Sequence, residues 1–233
     1  DDPADTERDT DIVEIGIAHE LSERATIEAA IGYSQTEEEE FGIISKEDGL
    51  TGRLIYGLAM PNGTLNVSYR TTRDQNGARN FLRFGRALDL PLGSLSFNIG
   101  ATQKESGDPK LIGGINWQHE LPTGRITLSA NRDVSVNEDD DERITTTAAF
   151  GYVYQINTLS SLAFDASFGL SEDEATSNDT RRTDLTASYN YALTPDWSLR
   201  TGIAYRVRDE DLVGTSDSTS VFVRIGRDFT LFQ

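Results

Sequence analysis

The sequence predicts an all-β fold: an antiparallel, up-and-down sheet of about 13 strands. Three observations predict it. Apolar side chains recur at every second position through segments of about ten residues, the spacing at which neighbours point to opposite faces of a sheet. A helical period of 3.6 is nearly absent. The connections alternate strictly between two kinds, one tight and rich in Pro and Gly, the other long and acidic.

Taken in order, residues 11–21 place Val13, Ile15 and Ile17 against Glu14, Gly16 and Ala18. Residues 25–35 place Ala25, Ile27, Ala29, Ile31 and Tyr33 against Thr26, Glu28, Ala30, Gly32 and Ser34. Residues 50–60 follow with Leu50, Leu54, Tyr56, Leu58 and Met60, then 64–72 with Leu65, Val67 and Tyr69, and 80–90. Residues 94–104 carry Leu95, Phe97, Ile99 and Ala101 on one face, and the pattern continues through 110–121, 125–134, 143–156, 160–170, 182–193, 197–208 and 218–232. Tight connections fall at 22–24, 61–63, 91–93, 122–124, 157–160 and 194–196. Three share a hydrophobic-Pro-x-Gly-x-hydrophobic frame, at Met60–Leu65, Leu90–Leu95 and Leu121–Ile126, where Pro and Gly supply hairpin geometry. The long connections hold Glu37–Glu40 with Glu47 and Asp48, then Asp74, Glu105–Asp108, Glu138–Glu142, Glu172–Glu174 and Asp209–Asp211. Residues 1–10 read as a loop segment of the same acidic end.

Composition excludes several classes. The 233 residues hold no Cys, so disulfide scaffolds, thiolate zinc sites and Cys nucleophiles are out. The 39 Asp and Glu against 21 Lys and Arg leave a net charge of −18, the wrong sign for a nucleic-acid footprint. No apolar run reaches the length of a transmembrane helix. The two histidines, His19 and His119, share the apolar parity beside tight turns, so neither a catalytic dyad nor a zinc site is expected, and no cofactor motif is present. Hydrophobic content of 36% with this charge is low for a soluble core. It suffices where only alternate positions are apolar.

Two-faced strands with short turns at one end and acidic connections at the other match a transmembrane β-barrel, lipid on the apolar side and a lumen on the polar side. Aromatic residues sit near the strand ends: Trp117, Tyr154, Tyr191, Trp197 and Phe229 by the tight turns, and Tyr33, Tyr69, Phe168 and Tyr205 towards the acidic end. The C-terminal run Arg224-Ile225-Gly226-Arg227-Asp228-Phe229-Thr230-Leu231 resembles the assembly signal of Gram-negative outer-membrane β-barrel proteins, with Arg224, Gly226, Phe229 and Leu231 at its key positions. The same pattern also fits Arg83–Leu90 and Glu14–Leu21, so its place at the chain end is what informs.

This porin-like resemblance implies a barrel integral to the outer membrane, recognised by the barrel-assembly machinery, in contact with membrane lipid and lipopolysaccharide, and able to form homo-oligomers. In that family both termini lie in the periplasm, and an odd strand count implies a missing N-terminal strand, hence 14 strands or more in the intact protein. Residues 11–233 would form the barrel domain.

Candidate pore-lining residues are the charges on the polar parity: Arg53, Arg70, Arg83, Arg143, Arg200, Arg206, Arg208 and Arg224, with Glu14, Glu28, Asp165, Asp184 and Asp228. Such groups either focus the field on passing solutes or pair across neighbouring strands. The run Arg200, Arg206, Arg208 on one strand is the best candidate site. Arg86 and Arg227 break the alternation by falling on the apolar face. Either they reach for head groups beside the tight turns, or a bulge at Gly85 and Gly226 turns them inward. The acidic connections either bind divalent cations or form a solvated surface. A passive channel for small hydrophilic solutes is the leading expectation. An accessory barrel for surface-polymer export and a soluble β-sandwich are the alternatives.

Overall fold

In the computed structural model the described residues are 7–40, 43–74, 77–105, 107–136, 142–173 and 179–227, and they contain strands and turns without a helix. Thirteen strands follow one another: β1 Glu7–Ser22, β2 Ala25–Glu40, β3 Ile43–Met60, β4 Gly63–Asp74, β5 Gly77–Leu90, β6 Gly93–Lys104, β7 Lys110–Leu121, β8 Gly124–Val136, β9 Glu142–Gln155, β10 Ser160–Asp173, β11 Asp179–Ala192, β12 Trp197–Glu210 and β13 Gly214–Arg227. They form one sheet in sequence order. The chain divides into two compact units, residues 1–87 with 98–113, and residues 88–97 with 114–233.

In the first unit β1 to β4 pair antiparallel in unbroken register apart from a shift between Glu20 and Ser22. Val13 faces Tyr33 and Ile15 faces Ile31; Ile27 faces Tyr56; Leu54 faces Tyr69 and Leu58 faces Leu65. One apolar face results, because a constant register keeps every second residue of all four strands on the same side. In the second unit β8 to β13 pair the same way. Leu128 meets Phe150, Phe150 meets Ala166, Ala166 meets Leu185, Leu185 meets Tyr205 and Ile203 meets Val221.

The tight turns are built by local chemistry. After Pro61-Asn62 and Pro91-Leu92, Gly63 and Gly93 open the next strand at φ 123° and 151°, values a side chain resists. Where Gly is lacking, a side-chain oxygen substitutes. Ser22 Oγ accepts the Ala25 amide at 3.1 Å, Asn157 Oδ1 accepts those of Leu159 and Ser160 at 2.9 Å, and Thr194 Oγ1 accepts that of Trp197 at 3.1 Å.

The acidic end differs from the sequence expectation. At 36–40 with 43–48, at 172–173 and at 209–210 what reads as loop is strand; Glu105 and Gly107–Pro109 lie outside strands as expected, and 75–76, 137–141 and 174–178 lie outside the described residues. β2 and β3 stay paired to Glu40 and Ile43, and β10 and β11 pair as far as Glu172 and Asp179. Residues 36–40 and 43–48 are therefore a hairpin extension rather than a loop free to fold across the sheet. β1 likewise begins at Glu7 instead of residue 11, since Glu7–Thr10 pair with Thr36–Glu39. Charged strand ends escape a hydrophobicity pattern, but the acids here have basic partners: Lys46 with Glu37, Arg132 with Glu172 at 3.0 Å, Arg143 with Asp173 at 3.7 Å, Arg181 with Asp209 at 3.9 Å and Arg208 with Glu210 at 2.5 Å. Their basic partners are all exposed, Asp173 and Glu210 only partly, and a pair at such a surface contributes roughly 0–1 kcal/mol.

Few of the described residues are buried. The buried apolar residues among those described are Ala25, Ala30, Ile112 and Val134. Ile15 is 77% exposed, Leu54 45%, Phe164 42% and Ile203 56%.

Candidate functional site

The polar face holds the candidate site. In the first unit Glu14, Glu28, Arg53 and Arg70 lie on the side opposite the apolar residues. Arg70 stacks over the Phe81 ring at 4.3 Å, which puts Phe81, and Arg83 two residues on, on that side too. Glu14 and Arg53 belong to strands separated by β2, yet their side chains meet at 3.2 Å. Between them β2 presents Ala30, opposite Arg53, and Gly32, opposite Glu14. A larger residue at either place would block the reach.

In the second unit the register puts Arg143, Asp165, Asp184, Arg200, Arg206, Arg208 and Arg224 on the polar face. Asp184 is the hub. Arg206 Nε donates to it at 2.5 Å, and Arg182 reaches it through Nε at 2.7 Å and Nη2 at 3.2 Å. Arg182 and Glu210 also belong to this cluster; the alternation of Arg182 with Asp184 is its sign in the sequence, whereas Glu210 reads there as part of an acidic connection. Arg208 sits directly across from Arg182, and Arg200 directly across from Arg224. Like charges in facing positions destabilise a ladder, by roughly 0.2–1 kcal/mol a pair. Glu210 relieves Arg208. Arg200 lies 5.9 Å from the Phe222 ring, its Nε is buried without an acceptor, and neither Arg200 nor Arg224 has a carboxylate partner among the described residues.

Several of the expected charges fall into two sets. Glu14 with Arg53, Arg143 with Asp173, and Asp184 with Arg206 pair across strands. Arg70, Arg200 and Arg224 have no acid partner among the described residues. Asp228, Phe229 and Leu231 lie outside the described residues. Gly226 and Arg224 of the same run are regular β13 residues, paired with Ser198 and Arg200.

Four of the aromatic residues at the strand ends, Tyr33, Tyr69, Trp117 and Trp197, have polar neighbours. Tyr33 donates its hydroxyl to Asp48 and Tyr69 to Asn80, both at 2.7 Å and both towards the acidic end. Trp117 stacks on His119 near a tight turn, centroids 5.6 Å apart, and Tyr189 on Tyr191 at 6.4 Å. Arg86 and Arg227 keep the strand parity of the apolar face. Arg86 Nη2 donates to Asn62 Oδ1 in the adjacent tight turn at 2.7 Å, and Arg227 lies 5.3 Å from the Trp197 ring, with β12 and β13 in unbroken register through Gly226. No bulge at Gly226 turns Arg227 inward. Among the described residues no group of three or more His, Asp or Glu could hold a metal ion.

No family model matches the chain, and no curated protein matches it in sequence. Among solved structures it is similar to one described as the NanC porin in a rhombohedral crystal form, with 12% identity and a TM-score of 0.28 over 94% of this chain and 99% of that one. The strand order and register above stand independently of that likeness.

Proposed function

We infer that this chain forms the wall of an outer-membrane β-barrel and that the barrel is a porin-like, passive channel for small hydrophilic solutes. The observation that supports it most is the exposed apolar face. In both units large apolar residues occupy alternate positions of strand after strand and remain uncovered, far more than a monomer in water exposes as one patch. A soluble β-sandwich would bury that face against a second sheet. In hydrocarbon the same face is at no disadvantage, and sheet pairing satisfies the backbone groups that lipid cannot. Aromatic residues with polar partners near the strand ends fit the two interfacial belts of such a wall.

The polar face then lines the lumen. Small residues there, Gly32, Gly169 and Ala204 among them, keep side-chain bulk off the sheet, and at Gly169 a Cβ would meet nothing within 4 Å. The charged positions Arg53, Arg70, Arg83, Arg143, Arg200, Arg206, Arg208, Arg224, Glu14, Glu28, Asp165 and Asp184 would bias what passes, and the arginines without acid partners would weight the bias towards anions. Recording the full-length protein in planar bilayers tests this. Discrete single-channel currents with anion preference are expected. A protein that folds into vesicles yet carries no current would be a closed scaffold, and one that stays in buffer without detergent is no membrane barrel.

A further inference from the structure

We propose that Arg86 and Arg227 are binding positions for the phosphate group of a glycerophospholipid, each at the tight-turn edge of an apolar face. The proposal rests on the membrane reading above and goes beyond it by naming a ligand and two residues.

Residues 81–86 and 222–227 repeat one pattern, Phe-x-Arg-hydrophobic-Gly-Arg. Because strand side chains alternate, the first arginine of each copy, Arg83 or Arg224, shares the polar side with its glycine, and the second falls on the apolar side. An outward guanidinium is most costly at the middle of a bilayer and least near its surface. Both side chains lie where the cost is least. Asn62, which accepts from Arg86, belongs to the turn between β3 and β4, and Trp197, which faces Arg227 across the ladder, is the first residue of β12 after the turn at 193–196. The two are held by different means, a hydrogen bond in one case and an aromatic face in the other, so the shared feature is the position of the charge.

Arg86 is also incompletely satisfied: Nη1 is buried with no acceptor among the described residues, while Nη2 is engaged by Asn62. A buried guanidinium nitrogen without a partner marks a missing acceptor. At that depth the acceptor a bilayer supplies is lipid phosphate, and a rotation of the Arg86 side chain that uncovers Nη1 would let it donate there. At Arg227 the indole covers one face of the guanidinium, and the residue is exposed.

The test uses the full-length protein, delipidated in detergent and inserted into vesicles of phosphatidylglycerol mixed with a phosphate-free galactolipid. Flotation and the cold-gel mobility of a folded barrel establish insertion; re-extraction in mild detergent and native mass spectrometry then count retained lipid. The wild type is expected to keep phosphatidylglycerol over galactolipid. Arg86→Gln and Arg227→Gln should each weaken retention about tenfold, the loss of one charge-assisted bond, while Arg86→Lys, Arg227→Lys and the polar-face control Arg53→Gln keep most of it. Excess inorganic phosphate should not displace the lipid, and displacement would make these soluble-anion sites and overturn the proposal. Equal retention of both lipids, or Gln variants that retain phosphatidylglycerol like the wild type, overturns it alone. Failure of the wild type to float overturns the membrane reading as well.

Discussion

The polar faces of β1–β4 and of β11–β13 are built on the same alternation and charged differently. In β1–β4, Glu14 reaches across β2 to Arg53, so the facing pair Arg53 and Arg70 has an acid beside it. In β11–β13 five arginines, at 182, 200, 206, 208 and 224, stand with Asp184 and Glu210, and two arginine pairs face each other directly. The apolar faces of the two regions are alike. Sheet formation constrains the apolar face tightly and leaves the polar face free to carry unequal charge, which is where selectivity for a solute can be written.

That contrast can be broken at several strengths. The largest effect is expected from the face the two regions share. Ile203→Arg puts a guanidinium at the middle of the apolar face and should cost roughly 2–4 kcal/mol in lipid, whereas Ala204→Arg, one residue on and facing the polar side, should cost much less. Urea unfolding of both variants in vesicles measures the gap, and equal losses would mean that the two faces do not see different surroundings.

Next comes close packing within β11–β13. A Cβ on Gly202 would come within 2.3 Å of the Ala187 carbonyl oxygen and 2.9 Å of the Phe222 ring, the first of them backbone that cannot yield. Gly202→Val should therefore lose about 1–3 kcal/mol by overpacking. Gly169, where a Cβ meets nothing within 4 Å, should accept Ala with little change in the same assay.

The charge difference itself is addressed by reversal potentials in bilayers under a salt gradient. Arg200→Glu with Arg224→Glu should swing the proposed channel towards cations by several-fold in permeability ratio. Glu14→Gln should move it slightly the other way, because it removes one acid from a set where acids and arginines are mixed. A response of equal size in both regions would show that the unpartnered arginines have no special role.

The smallest effect is expected at the hub. Asp184→Asn releases Arg182 and Arg206 from an exposed ion pair worth roughly 0–1 kcal/mol, so stability should barely change while anion preference rises. An unfolding midpoint that falls markedly would instead mark Asp184 as structural.

Much of this was legible in the chain. Thirteen strands lie where the alternation puts them, and at the tight turns their ends agree to within a residue or two, the expected end of β13 beyond Arg227 lying outside the described residues. At the acidic end the strands run several residues further than the hydrophobic pattern indicates, because Glu37, Glu172 and Asp173 are held in strand by Lys46, Arg132 and Arg143 on neighbouring segments. A pairing between distant residues has no local signature. The aromatic placements were readable from strand ends, but the Tyr33 bond to Asp48 and the Arg86 bond to Asn62 were not.

The sequence by itself determined which side of each strand is apolar, since a strand's period of two is a property of the backbone. Which charge meets which across the ladder was decided only by register, a long-range quantity. Arg200 and Arg224 are 24 positions apart and nothing near either one says that they face each other. Their opposition, and the acid-free stretch around them, exists only once β12 and β13 are aligned.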